Sequence, residues 1–324
     1  MKIIKEKKFF LKPSEQLYLY EYMYQFDLFK KLIESKRLPK CMLFSGSKGI
    51  GKATFTYHLI NYFLSINEKY KYSIENKQID PNNPSFGLIN SNVHPNFYNL
   101  DSDNYENEIK IDQVRNLLKF LKNTTYNNNL KLVLIDNIEN LNKNSSNALL
   151  KCLEEKNDNT YFFLIHDDSK KILRTIKSRS IEFRFYLNNK EKYNIFIKLA
   201  KQYFDNNDYE EIFNNFYFES PGNLIKYMLS FDFNKFDFSL NSTDAIFSLI
   251  EKYLKEDNLE ILKLLTIFVD KFYNQLYLSK SNKINILNYN RSKILKLINE
   301  TKLYNLDKKN TFVGISEIIQ TDAR

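Results

Sequence analysis

At 324 residues and 43% hydrophobic content, the chain is long enough for two or three domains with real cores. Its formal charge of +9 suits an anionic partner such as DNA, but a Lys-rich proteome gives the same balance, and no block of about five or six like charges marks a nucleic-acid tail. No apolar run approaches the roughly 18 residues that span a bilayer, and Met1–Lys8 lacks the apolar core of a signal peptide, so a cytoplasmic protein without a membrane partner is expected.

Strand and helix patterns alternate over the first 186 residues. Predicted strands are Cys41–Phe44, Asn96–Leu100, Leu130–Ile135, Tyr161–Ile165 and Ile181–Phe185. Predicted helices are Gln25–Ser35, Lys52–Leu64, Gln113–Lys122, Ser145–Glu155 and Lys170–Ile176. This order argues for an α/β module with a mostly parallel sheet covered on both faces. Asp112 is placed to cap the helix that carries Val114, Leu117, Leu118 and Leu121 on one face. Ser145-Ser146-Asn147 opens a helix with Ala148, Leu149, Cys152 and Leu153 inward, and Glu154 and Glu155 end it on a solvated side. Ser65–Val93, polar and Asn-rich with Pro81, Pro84 and Gly87, is expected to be an inserted loop with little regular structure. Asp101–Lys110 is a second polar connection.

After about Leu187 the strands stop. Lys190–Phe204, Tyr209–Phe218 and Leu224–Leu229 read as short helices, with Ser220-Pro221-Gly222 breaking the second from the third. Longer amphipathic patterns follow at Thr243–Leu254, Leu259–Leu278 and Ile284–Leu303, so the second half is predicted to be all α.

Gly46-Ser47-Lys48-Gly49-Ile50-Gly51-Lys52-Ala53 lies between a predicted strand and a predicted helix, the context of a phosphate-binding loop. Gly46, Gly49 and Gly51 allow tight turns, Lys52 can neutralise phosphate, and the helix N-terminus favours an anion. Ala53 stands where a Ser or Thr hydroxyl would ligate Mg²⁺. Thr54 does not simply substitute, because one residue turns a helical side chain by roughly 100°. Leu130–Ile135 reads as a buried strand ending in Asp136, the acid that sits near the metal in such sites. Asn137 follows it, and an amide is a poor base, so slow or absent hydrolysis is expected. The loop either binds ATP or ADP weakly or is filled by its own side chains, and both readings stay open.

Cys41 and Cys152 read as buried small apolar residues, and His58, His94 and His166 form no metal pattern. Arg179 on its own reads as a surface arginine salt-bridged locally.

The ordered set of motifs resembles the delta prime family of bacterial DNA polymerase III clamp loaders, within the AAA+ class. The matching residues are Gly46–Lys52, His94-Pro95-Asn96, Ile111–Arg115, Leu132–Asp136, Asn147–Glu155 and Thr175–Ser180. The resemblance implies an AAA+ P-loop module over residues 1–186, a helical lid over 187–233 and an all-α collar over 234–324. It implies a ring with gamma/tau and delta subunits that loads a sliding clamp onto primed DNA. The chain would thus be a subunit of the DNA-directed DNA polymerase holoenzyme. In that family the delta prime member is not the motor. Ser178-Arg179-Ser180 matches its Ser-Arg-Cys motif, so Arg179 is implied as a finger for a neighbour's ATP. A permanently charged, planar fork suits charge developing on a transferring phosphoryl group.

Three departures from the family pattern follow. Ser65–Val93 contains no cysteine where relatives carry a four-cysteine zinc module, so zinc is not expected. Asn223 stands where active relatives place a phosphate-sensing Arg, and Lys156 stands where a Pro is common. The alternative reading is a gamma/tau-like motor that hydrolyses ATP itself, and Ala53, Asn137 and Asn223 argue against it. A stand-alone DNA-binding module rests on charge only.

Overall fold

The computed structural model describes residues 12–101, 108–122, 130–154, 159–204, 209–230, 242–280, 283–304 and 306–324. The Met1–Lys8 start, Glu155, Lys156 and most of the Asp101–Lys110 connection lie outside them. The chain divides into two compact units, Phe10–Gln202 with Tyr217–Asn223, and Tyr203–Phe216 with Leu224–Arg324.

The first unit is built on a five-stranded sheet of β1 (Cys41–Gly46), β2 (Phe97–Leu100), β3 (Lys131–Ile135), β4 (Thr160–Asp167) and β5 (Ile181–Arg184). Its order is β2-β3-β4-β1-β5 and every pairing is parallel. Successive strand residues point to opposite faces, so a strand covered on both sides is apolar throughout. β1 obeys this: Met42 and Phe44 enter one core, and Cys41 and Leu43 the other. The first core is aromatic and seats α1 (Met23–Glu34) and α2 (Lys52–Leu64). Phe55 of α2 lies 5.0 Å from Phe185, 5.7 Å from Phe44 and 5.9 Å from Phe29, ring centre to ring centre. The second core packs Val114 and Leu117 of α4 (Ile111–Lys122) and Leu149 and Cys152 of α5 (Lys143–Glu154) on the sheet. Both cysteines are free and buried.

The helix of Val114 starts earlier than expected, and Asp112 is not its cap. Asp112 lies in the first turn and pairs with Arg115 at 2.7 Å. The side chain of Gln113 reaches back instead and accepts from the Lys110 N–H at 2.8 Å.

Ser65–Val93 is more ordered than its composition suggests. Asn83 caps α3 (Pro84–Asn90), its Oδ1 accepting from the Phe86 N–H at 2.7 Å. The Glu68 carboxylate accepts from Asn83 Nδ2 at 2.5 Å and Ser85 Oγ at 2.6 Å. Apolar periodicity misses this segment because polar side chains hold it. The helix expected over Lys170–Ile176 shortens to α6 (Arg174–Lys177). An Asx turn takes its start, with Asp167 Oδ1 accepting from the N–H and Oγ of Ser169.

α7 (Asn189–Tyr203), α8 (Tyr209–Asn215) and α9 (Pro221–Ser230) follow, Pro221 opening α9 where its missing N–H costs nothing. In the second unit α10 (Ser242–Glu256), α11 (Leu259–Ser279), α12 (Ile284–Tyr304) and α13 (Lys308–Ala323) pack as a bundle. α13 has no predicted counterpart. Asp307 caps it, and Phe312, Ile315 and Ile319 are buried along one stripe. Buried Asp322 of α13 pins α11 and α12, accepting from Tyr273 Oη at 2.6 Å and from Asn290 Nδ2 at 3.0 Å.

Among the described residues, no helix is long and apolar enough to cross a membrane.

Candidate functional site

β1 leads directly into the loop, and α2 begins at Lys52. Gly49 and Gly51 have φ of +84° and +97°, a region that L side chains rarely enter. Lys52 is buried, and its Nζ donates to Gly46 O at 2.5 Å and Ser47 O at 2.8 Å. Burial lowers its pKa, while Asp167, Asp136, Asp168 and Glu139 pull it back up. Ala53 packs against the aromatic core, and Thr54 is half-buried one place further along the helix.

Asp136 follows β3, and desolvation, with Asp101 as the next cause, pushes its carboxyl up to about 7. The N–H of Asn137 donates to Asp136 Oδ1 at 2.8 Å. Asn137 itself is left-handed, at φ 54° and ψ 52°, a conformation Asn tolerates. Its amide donates to Asp101 Oδ1 at 3.1 Å. The position that would need a base is thus an amide donor turned onto a neighbouring acid.

Sequence reading missed Asp101, Glu139 and Asp167. The Glu139 side chain is 1% exposed and lies 3.5 Å from Lys170 Nζ, and its Oε2 accepts from the Asp167 N–H at 3.3 Å. Asp101 follows β2 and Asp167 ends β4. Carboxyl ends of parallel strands are where open α/β sheets gather ligands, so this signal was available once the strands were known. Among the described residues, no group of three or more His, Cys, Asp or Glu could hold a metal ion.

Two segments of the same unit close on the loop. Tyr22, left-handed at φ 67°, donates its hydroxyl to Ile50 O at 3.0 Å. The N–H of Gly222 donates to Gly49 O at 3.0 Å. A Cβ placed on Gly49 would meet Ser220 Oγ at 2.2 Å and Asn223 Oδ1 at 2.9 Å. Asn223, where the resemblance would put a phosphate-sensing Arg, turns its Nδ2 onto Glu219 at 3.3 Å.

Arg179 lies in the turn between α6 and β5. Its Nε and Nη2 donate to Glu154 Oε1 at 2.8 and 2.5 Å, and Nη1 donates to Thr175 O at 3.1 Å. The Ser180 hydroxyl, where the family motif has Cys, donates to Ile176 O at 3.1 Å. Its pairing with Glu154 makes Arg179 a locally salt-bridged arginine with 36% of its side chain exposed.

Comparison with known proteins joins these parts. The chain is 38% identical over 95 residues to the DNA polymerase III subunit delta' of Pseudomonas aeruginosa, a stretch covering 29% of each chain. It is 36% identical over 104 residues to the same subunit of Haemophilus influenzae, covering 32% of each. It is 27% identical over 201 residues to a DNA polymerase III subunit gamma of Buchnera aphidicola, covering 56% of this chain and 52% of that one. The matches thus span about a third of the length of these two delta' relatives. A solved DNA polymerase III gamma subunit-related protein of Thermotoga maritima aligns at a TM-score of 0.46 and 16% identity, over 93% of this chain and 100% of that one, a likeness too loose to carry weight. The family model described as DNA polymerase III, delta subunit, matches residues 23–189, just over half of the chain and the whole of the sheet with its loop, and the chain belongs to that family.

Proposed function

We propose that this chain is a non-motor subunit of a DNA polymerase III clamp loader. It joins gamma/tau and delta subunits in a ring that places a sliding clamp on primed DNA, and it presents Arg179 to the ATP of a neighbouring subunit. The observation that carries the reading is the chemistry at the head of α2 and the end of β3. A P-loop in its full structural frame holds Ala53 and Asn137 at the two positions that chemistry requires, and turns Lys52 onto its own carbonyls. Membership of the delta-subunit family supports the same reading. Residues 1–186 form the AAA+ module, 187–233 the lid and 234–324 the collar that joins the ring. The chain needs no zinc, and ATP or ADP bound in its loop is weak and is not turned over. The gamma/tau-like alternative, an ATPase in its own right, is disfavoured by the same two positions.

The test is co-assembly followed by turnover. The purified chain, mixed with gamma-type and delta subunits of its organism, forms one complex on size exclusion, and alone it hydrolyses no ATP. Turnover by the isolated chain that Lys52→Ala abolishes, or failure to enter the complex, overturns the proposal.

A further inference from the structure

We infer that Glu154 is a positioning residue that holds Arg179 by one edge of its guanidinium and leaves the outer N–H of Nη2 for a phosphate oxygen. The inference rests on the finger reading of Arg179 given above. Glu154 is the last residue of α5, and Arg179 follows α6. Both elements are anchored in the core, α5 by Leu149 and Cys152 and α6 by Ile176. The pair therefore ties two fixed points together across the side chains alone.

The geometry is directional. Nε and Nη2 form the side edge of the guanidinium, and both bond the same oxygen, Glu154 Oε1. Nη1 spends one N–H on Thr175 O at 3.1 Å and reaches Ser178 Oγ only at 3.5 Å. The second N–H of Nη2 has no acceptor among these contacts. That outer N–H of Nη2 can then receive an anion's oxygen while the side edge stays bonded. Arginine suits this division because its five N–H groups lie in one plane and serve two directions.

Stability does not account for the glutamate. Glu154 is 55% exposed, and exposed ion pairs contribute little to folding. A carboxylate at the C-terminus of a helix also opposes the helix dipole. What the pair supplies is orientation: an arginine with many rotamers is held in one before its ligand arrives, and such preorganisation is felt in the transition state.

The readout is the ATP turnover that this chain adds to its gamma-type and delta partners, with clamp and primed DNA present. Glu154→Ala is expected to lower that added turnover about tenfold, with assembly and the KM for ATP unchanged. Glu154→Gln, which keeps the acceptor oxygen and drops the charge, recovers part of the loss. In an Arg179→Ala background, Glu154→Ala changes nothing further. Equal losses in both backgrounds would make Glu154 a structural residue and overturn the inference. A normal rate in Glu154→Ala, with Arg179→Ala still inactive, overturns it and leaves the finger standing. A normal rate in Arg179→Ala overturns the finger reading itself, and with it the ground for this inference.

Discussion

The backbone N–H of Gly222 donates to the carbonyl of Gly49 at 3.0 Å, so the start of α9 is joined to the P-loop main chain to main chain. No side chain fits between them. A Cβ on Gly222 would stand 2.7 Å from Gly49 O. Gly222→Ala should therefore force the two segments apart and cost about 1–3 kcal/mol, the usual range for overpacking. Urea unfolding measures it, and an unchanged midpoint would mean that the contact is not kept in solution.

Lys52 acts as a clasp for its own loop. Replacing it with Ala removes the donor from Gly46 O and Ser47 O. Gly46 O keeps the longer bond from the Asp168 N–H at 3.4 Å and Ser47 O loses its side-chain donor; a hydrogen bond from a charged group contributes about 1.5–3 kcal/mol. Lys52→Ala should thus lower stability in nucleotide-free buffer, as read by thermal unfolding. A lysine kept only for a ligand would show no loss there.

Two buried groups set opposite slopes in the pH dependence of stability. Burial lowers His58 to about 3 from its ordinary 6.5, and its ring bonds Tyr72 Oη at 2.9 Å and Gln16 O at 3.1 Å. The unfolded chain therefore binds the extra proton. Its contribution is fully present above pH 6.5 and is lost as pH falls toward 3, by about 1.4 kcal/mol per pH unit. Asp136 is raised from 3.8 to about 7, so its contribution is full below 3.8 and is lost as pH rises through 7. Asp136→Asn should gain stability at pH 8 relative to pH 5, and His58→Gln should flatten the acid side of the curve. Stability curves of the two variants from pH 4 to 8 test both signs.

In the helical unit, Tyr273→Phe removes the donor to Asp322 Oδ2 and leaves Asn290 as its remaining side-chain partner. The loss should be about 1–3 kcal/mol. Chemical unfolding followed by tyrosine-independent far-UV signal measures it, and no change would show that the pin carries no stability.

The middle of the sheet was legible from sequence because β1 and β3 are buried on both faces. Cys41–Phe44 and Leu132–Ile135 read as continuous apolar runs, and the two predicted strands that hold them are extended or trimmed by no more than two residues in the structure. α2 is found at its predicted bounds, Lys52–Leu64. What periodicity missed is set by polar contacts: α3 is held by Glu68 and Asn83, and the turn at Asp167 stops α6 from starting as early as expected. α13 carried readable signals, a capping Asp307 and the 312/315/319 stripe, yet a polar surface dilutes that pattern. For the site, the loop and its missing hydroxyl were legible because each is a local string. Glu139 and Asp167 beside Lys52 and the hold of Glu154 on Arg179 were not, since they join residues tens of positions apart.

The most direct measurement of the central claim is ATP turnover by the assembled ring, with clamp and primed DNA, containing either the unaltered chain or Arg179→Ala. If Arg179 serves a neighbour's ATP, the variant enters the complex normally and the turnover that this chain adds is lost. Full added turnover from an assembled Arg179→Ala ring would contradict the trans role and return attention to the P-loop of this chain as a site of its own.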